Sequence, residues 1–241
     1  MASPYKRVVL KVSGESFAQE GQLGISPDEL TVIAGEIAQA RRASPDTQIA
    51  VVVGGGNIVR GARLAETGRI AQSTADYMGM LGTVINGLAL REALEGQGIP
   101  SRLLTALQIT AVAEPFIRGR AMRHMEKGRV IVLAAGTGNP FFTTDTCASL
   151  RAVELQAQVL LKATKVDGIY TADPRKDPSA KKYETLRFSE VLEKRLAVMD
   201  LTAMTMCMEH NLPVEVFDFR TAGNVKRAVL GERIGTLVSN G

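Results

Sequence analysis

With 241 residues, 45% of them hydrophobic, the chain can bury a sizeable core as one domain of two lobes. Two cysteines exclude a disulfide framework, and the lack of any run of about eighteen apolar residues excludes a spanning helix. A net charge of +4, scattered along the chain, argues against nucleic acid and favours small anionic ligands.

Residues 1–7 lead into a strand without an apolar h-region, so a cytoplasmic location is expected. Residues 7–12 predict a buried strand, and Lys11-Val12-Ser13-Gly14-Glu15 sets a lysine and a turn glycine at its end. A helix start follows, with Ser26 as N-cap, Pro27 at the first position and Glu29 closing a capping box; the helix runs to about Ala43. Residues 48–53 predict a second strand that opens into Gly54-Gly55-Gly56-Asn57. A long helix is expected over 74–94, a short strand over 102–104, and a helix over 118–127 stopped by Gly128. The strand 130–135 empties into Gly136-Thr137-Gly138-Asn139-Pro140-Phe141-Phe142-Thr143-Thr144-Asp145. Residues 146–156 read as a helix and 159–161 as a strand, with Lys162-Ala163-Thr164-Lys165-Val166-Asp167-Gly168 as its polar exit. The charged segment 175–182, bracketed by Pro174 and interrupted by Pro178, predicts an exposed excursion. Helical pieces over 189–193 and 202–210, a strand over 214–217, a helix over 222–230 and an extended 235–238 complete the chain.

Strands alternating with helices imply an α/β fold, a three-layer sandwich around a mostly parallel central sheet. Ligands of such sheets bind beyond the carboxyl ends of the strands, so the loops at Lys11, Gly54, Gly136 and Lys162 can converge on one crevice. In the 136–145 loop the glycines admit close backbone approach, the threonines offer hydroxyls, and Phe141 and Phe142 offer flat faces that suit a base or brace the loop. The same window also fits a turn whose Phe pair plugs the core.

Neither G-x-x-x-x-G-K-[ST] nor G-x-G-x-x-G occurs, so phosphate has to be held by other backbone donors and by fixed cations. Lys11 and Lys162, each following an apolar strand, are the candidates, although either also suits a solvated position. His124 and His210 lie in charged helical segments away from the glycine loops, and no metal-ligating cluster such as H-E-x-x-H is present. A phosphate monoester needs no general base, because its second pKa of about 6 leaves it ionised at neutral pH. Cys147 and Cys207 read as reduced thiols, Cys147 near a helix start that would lower its pKa unless it is buried.

Taken together, the strings at 11–15, 54–57 with Arg60-Gly61, Asp76-Tyr77-Met78-Gly79-Met80, 136–145 and 162–168 closely resemble the bacterial uridylate kinases of the amino acid kinase superfamily. The resemblance spans roughly residues 5–237, and Thr-Gly-Asn-Pro-Phe-Phe-Thr-Thr is its most specific string. It implies transfer of the γ-phosphoryl group of MgATP to UMP, giving UDP and ADP in pyrimidine nucleotide biosynthesis, with Mg²⁺ carried on ATP. Lys11 and Lys162 would be catalytic. Lys11, Val12, Ser13, Gly14, Gly56 and Arg60 would face the ATP phosphates, and Thr164, Tyr170 and Asp173 the ATP nucleoside. Gly55, Asp76, Thr137, Gly138, Asn139, Pro140, Phe141, Phe142, Thr143 and Thr144 would hold UMP, Asp76 accepting its ribose hydroxyls. The acceptor lobe would be about 1–150 and the ATP lobe about 151–241.

The same resemblance implies a homohexamer activated by GTP and inhibited by UTP, with Arg91, Arg102 and Arg129 at the effector; Glu95 stands where a further basic residue is expected, which weakens the GTP expectation. Asp145 and Asp200 suit either orientation of lysines or Mg²⁺, or helix capping. Two rivals remain: an acetylglutamate- or carbamate-type kinase of the superfamily, which lacks the Pro-Phe-Phe-Thr-Thr string, and a nucleotide-binding sensor without turnover, against which both lysines argue.

Overall fold

Largely apolar runs at 7–12, 48–53, 130–134 and 159–164 are buried on both faces, the pattern of a parallel sheet covered by helices on either side. The computed structural model describes residues 3–66, 68–172, 174, 176–177, 179–196 and 198–241. In chain order the elements are β1 (Arg7–Val12), α1 (Pro27–Ala43), β2 (Gln48–Val53), α2 (Gly61–Glu66), α3 (Gln72–Gly96), β3 (Ser101–Thr105), β4 (Glu114–Pro115), α4 (Arg118–Glu126), β5 (Val130–Ala134), α5 (Thr144–Glu154) and β6 (Val159–Thr164). Then come β7 (Ile169–Tyr170), β8 (Lys182–Tyr183), β9 (Thr185–Arg187), α6 (Phe188–Glu193), α7 (Leu201–Glu209), β10 (Val214–Asp218), α8 (Asn224–Val229) and β11 (Thr236–Ser239).

Among the described residues nine strands form one sheet in the order β4-β3-β5-β2-β1-β6-β10-β11-β9, parallel throughout except between β10 and β11. The strand alternation divides the core. Val8, Leu10 and Val12 pack with Ile33 of α1, Leu90 of α3 and Val225 of α8. Val9 and Leu160 face the other way, with Met125 of α4, Cys147 of α5 and Met204 of α7. The expected three-layer α/β sandwich is therefore the observed one. Among the described residues no helix is long and apolar enough to cross a membrane.

The Ser26 hydroxyl accepts from Glu29 N at 3.4 Å and Pro27 opens α1, as expected. The returning half of the capping box is replaced: Ser26 N–H donates to Phe17 O (2.8 Å), tying the helix start to the turn that follows β1. The polar exit expected at Lys162 begins later, because β6 continues to Thr164 by pairing with β1 on one side and β10 on the other. Lys182, read as the end of an exposed excursion, instead pairs with Tyr170 in a two-stranded β7–β8 ribbon. Such two-residue strands carry no readable periodicity.

Candidate active site

The carboxyl ends of β1, β2, β5 and β6 share one edge of the sheet, and there the parallel register sets Lys11 opposite Lys162. The period of two sends both side chains toward α5, on the face of Val9 and Leu160. Thr143 caps α5, its hydroxyl accepting from Asp145 N (3.1 Å) and Thr146 N (3.2 Å), and the first turn delivers Asp145 between the lysines. Lys162 Nζ donates to Asp145 Oδ2 at 2.7 Å, and Lys11 Nζ lies 3.1 Å from Oδ1. Lys162 also donates to Val198 O. The three side chains are only 11–16% exposed.

Burial alone would raise the Asp145 carboxyl, but the two ammonium groups outweigh it and hold the acid below its ordinary value. Burial likewise lowers Lys162 against the opposing pull of Asp145. Among the described residues Lys11 is the one ion-pair partner of Oδ1, so this buried carboxylate oxygen keeps a second lone pair uncommitted.

The glycine loops fit against each other backbone to backbone. A Cβ on Gly54 would lie 2.5 Å from Gly14 N, and one on Gly14 would lie 2.5 Å from Gly56 N. Gly55 meets α3 as closely, its Cβ position lying 2.6 Å from Gly79 O. A buried amide pair fixes this floor: Asn86 Nδ2 donates to Gly54 O (2.7 Å) and Asn57 Oδ1 (2.6 Å), while Asn57 Nδ2 donates to Asn86 Oδ1 (3.0 Å) and Gly24 O (2.7 Å). Thr83 Oγ1 accepts from Ala135 N (2.6 Å), where the chain turns out of β5 with Ala135 at φ 63°.

Between these loops opens a cleft of about 480 Å³. Of the residues expected on the acceptor side, Gly55, Asp76, Thr137, Asn139, Phe142, Thr143 and Thr144 line it; Gly138, Pro140 and Phe141 do not. Ser13, Gly56 and Arg60, expected on the donor side, line it too, so the two groups adjoin. Val12 is fully buried, and its carbonyl accepts from Gly54 N (2.9 Å), so it supports the edge without facing the cleft. The Phe pair does not plug the core, since Phe141 and Phe142 are 73% and 51% exposed. Asp76 Oδ2 accepts from Phe141 N (2.8 Å) and Oδ1 from Gln72 Nε2 (2.7 Å), so it already fastens the loop tip to α3.

On the donor side Arg60 is ion-paired with Glu15 beside the cleft. Thr164 Oγ1 donates to Val166 O (2.7 Å) in a local turn, and Tyr170 OH donates to Asp167 Oδ1 (2.8 Å). Asp173 lies outside the described residues.

The sequence pattern of the amino acid kinase family matches residues 6–218. The chain belongs to that family. Among solved structures it is similar to the UMP kinase of Bacillus anthracis, at 39% identity over 98% of this chain and 97% of that one, with a TM-score of 0.94. It is similar also to the UMP kinase of Ureaplasma parvum (33% identity, 97% and 98% covered, TM-score 0.91) and to the uridylate kinase of Archaeoglobus fulgidus (29%, 96% and 99%, 0.72).

In this amino acid kinase the two open questions about acidic residues have different answers. Asp145 holds both lysines. Asp200 caps α7, accepting from Ala203 N (2.9 Å), and also accepts from the Thr146 hydroxyl (2.9 Å) and the Thr143 hydroxyl, which braces the start of α5. Cys147 is a buried apolar group whose thiol burial pushes up to about 11, so the helix start does not activate it. Arg91 and Arg102 border one hollow at the far end of α3, paired there with Glu92 and Glu95. Arg129 is linked to it indirectly, through His124 Nδ1 (2.9 Å) and on to Glu114 (3.2 Å).

Sequence reasoning missed Asn57, Thr83 and Asn86 as supports of the kinase's loops, although a polar side chain on the apolar face of a long helix was the available signal. It also missed Phe219 and Arg220, which follow β10 at the same edge and line a hollow with Thr164 and Lys165.

Proposed function

We propose that this amino acid kinase is a uridylate kinase, transferring the γ-phosphoryl group of MgATP to a phosphate oxygen of UMP and releasing UDP and ADP. The observation that carries the reading is the Lys11–Asp145–Lys162 arrangement at the sheet edge where the glycine loops meet, joined to close similarity with UMP kinases over nearly the whole chain. The acceptor lobe is about 1–150 and the ATP lobe about 151–241.

UMP occupies the cleft of Gly55, Asp76 and the 137–144 loop, its phosphate toward the lysines. Lys11, Ser13, Gly14, Gly56 and Arg60 receive the ATP phosphates, Arg60 leaving Glu15 to do so. Thr164, Tyr170 and Asp173 receive the nucleoside. Phosphoryl transfer asks mainly for in-line positioning and for fixed positive charge on the equatorial oxygens, which Lys11 and Lys162 supply. Asp145 holds both ammonium groups in place before substrate arrives, so little reorganisation remains for the transition state. The acceptor is already ionised, and no base is needed.

Mg²⁺ in such sites is held by one or two carboxylates together with substrate phosphates. The residues fit that demand: Asp145 Oδ1 is buried with an uncommitted lone pair, and among the described residues no group of three or more His, Cys, Asp or Glu side chains forms a protein-only cage. Mg²⁺ arriving on ATP would neutralise phosphate charge, and Asp145 is the residue that would hold it.

A cytoplasmic homohexamer in pyrimidine nucleotide biosynthesis completes the proposal, with Tyr77, Leu81 and Ile85, exposed one turn apart on α3, as an association face. GTP and UTP are its proposed effectors, at Arg91, Arg102 and Arg129.

An ADP-release assay with UMP, CMP and N-acetylglutamate, with and without GTP, tests the reading. Turnover confined largely to UMP is expected. Turnover with N-acetylglutamate instead makes the protein a carboxylate kinase, and UMP binding without ADP release makes it a sensor.

A further inference from the structure

Beyond β6 the chain passes through Asp167 and Gly168 into the β7–β8 ribbon, and both strands of the ribbon meet on one carboxylate. Asp167 Oδ1 accepts from Tyr170 OH at 2.8 Å, and Oδ2 accepts from Lys182 Nζ at 3.3 Å. Tyr170 and Lys182 are themselves cross-strand partners, so the carboxylate closes a ring over the ribbon. Lys182 Nζ also reaches Ile234 O (3.4 Å), just before β11. Gly168 is required for this arrangement: a Cβ there would lie 2.7 Å from Lys182 Cε and 2.6 Å from Thr236 Oγ1. The neighbouring Ile169 is anchored independently, its N–H donating to Thr236 Oγ1 (2.8 Å), whereas the Tyr170 hydroxyl is held by Asp167.

We propose that Asp167 is a positioning residue for the donor nucleotide, fixing the Tyr170 ring in the orientation that receives the nucleoside of ATP. The inference rests on Tyr170 facing the donor, as proposed above. With its proton committed to Asp167, the phenol presents the nucleoside a ring face of settled orientation and an oxygen free only to accept. Ordering an exposed ring before binding removes a rotamer cost that binding would otherwise carry. The proton environment agrees with the geometry. The hydrogen bond to Asp167 raises the Tyr170 phenol above its ordinary value, and although burial pushes the Asp167 carboxyl up, the bonds from Tyr170 and Lys182 outweigh it.

Calorimetric binding of ATP in the absence of acceptor tests this without requiring turnover. Asp167→Ala and Tyr170→Phe are each expected to weaken ATP binding about tenfold, the worth of a hydrogen bond to a charged group. The double variant is expected to bind no more weakly than either single, because both remove one interaction. Asp167→Asn, which keeps an acceptor for the hydroxyl, restores most of the affinity, and KM for UMP does not follow these changes. Ultraviolet titration supplies a separate signature: Asp167→Ala lowers the pKa of one of the four tyrosines. Wild-type ATP affinity in Asp167→Ala, or full additivity in the double variant, overturns the positioning role. Normal ATP binding with no phosphate transfer to UMP in the wild type overturns the uridylate kinase reading instead, and the ATP binding series still decides the role of Asp167.

Discussion

Lys11 and Lys162 occupy the same rung of the sheet on adjacent parallel strands, and Asp145 gives one carboxylate oxygen to each. Neighbouring strands lie about 4.8 Å apart, so two ammonium groups rising from one rung repel strongly where water is scarce. The carboxylate turns that repulsion into a clamp and leaves a net positive charge directed at the edge where the loops meet. The same geometry explains how a parallel sheet tolerates two little-exposed lysines in its interior.

Lys11→Ala is expected to cut turnover by about 10²–10³ while barely changing stability, because Asp145 retains Lys162. Asp145→Asn is expected to lose a similar rate and, in addition, roughly 3 kcal/mol of stability, since it leaves two lysines facing each other without a counter-charge. Paired kcat and urea-midpoint measurements on both variants check the contrast. Equal destabilisation by the two substitutions contradicts the clamp.

The acid response follows from the direction of the Asp145 shift. Its folded pKa lies below the ordinary 3.8, so its contribution to stability is fully present above 3.8 and is lost as pH falls through the lower folded value. The stability gap between the wild type and Asp145→Asn is therefore expected to stay constant from pH 7 to pH 5 and to close only below about pH 4. Urea unfolding across that range measures it. A gap already shrinking near pH 6 assigns the effect to another group.

Asn86→Leu removes the amide that holds Gly54 O and Asn57, stranding both in a buried setting. A loss of roughly 3 kcal/mol is expected, with weaker binding of both nucleotides as the glycine floor loosens. Leu94→Ala, two turns farther along the same helix, serves as the control: it costs a comparable stability by leaving a cavity, roughly 2–5 kcal/mol, without moving either KM. Parallel shifts of KM in both variants reduce the Asn86 role to general support.

Most of the sheet was legible because its central strands are continuous apolar runs ending in glycine or lysine, a signal that survives without knowledge of partners. The site was legible where chemistry is local in sequence, as in the 136–145 loop. It was not legible where function depends on alternation across strands: whether Lys162 lies inside β6 or beyond it turns on pairing with Lys11 and Val216, which no local pattern records. The same holds for Asp145 and Asp200. Both begin helices, and only the packing of α5 on β1 and β6 sends one to the lysines while the other stays a cap. Phe219 and Arg220 were invisible for a related reason, since strand order places β10 beside β6 despite the long separation in sequence.

The adjacent phenylalanines give the sharpest test of the acceptor loop. Phe142 lines the cleft, whereas Phe141 contributes through its backbone, donating its N–H to Asp76 at a φ of 70° while its ring stands in solvent. Truncating Phe141 to alanine leaves that N–H in place and removes little buried surface. Truncating Phe142 removes a ring that a uracil base would cover, and stacking of a base on an aromatic side chain is worth about 1–3 kcal/mol. Phe142→Ala is thus expected to raise KM for UMP about tenfold, and Phe141→Ala by less than about twofold, with neither moving the urea midpoint because both rings are more than half exposed. Initial-rate measurements at saturating MgATP decide between the two. A larger effect at Phe141 means the loop turns over on binding UMP and presents its other ring to the base.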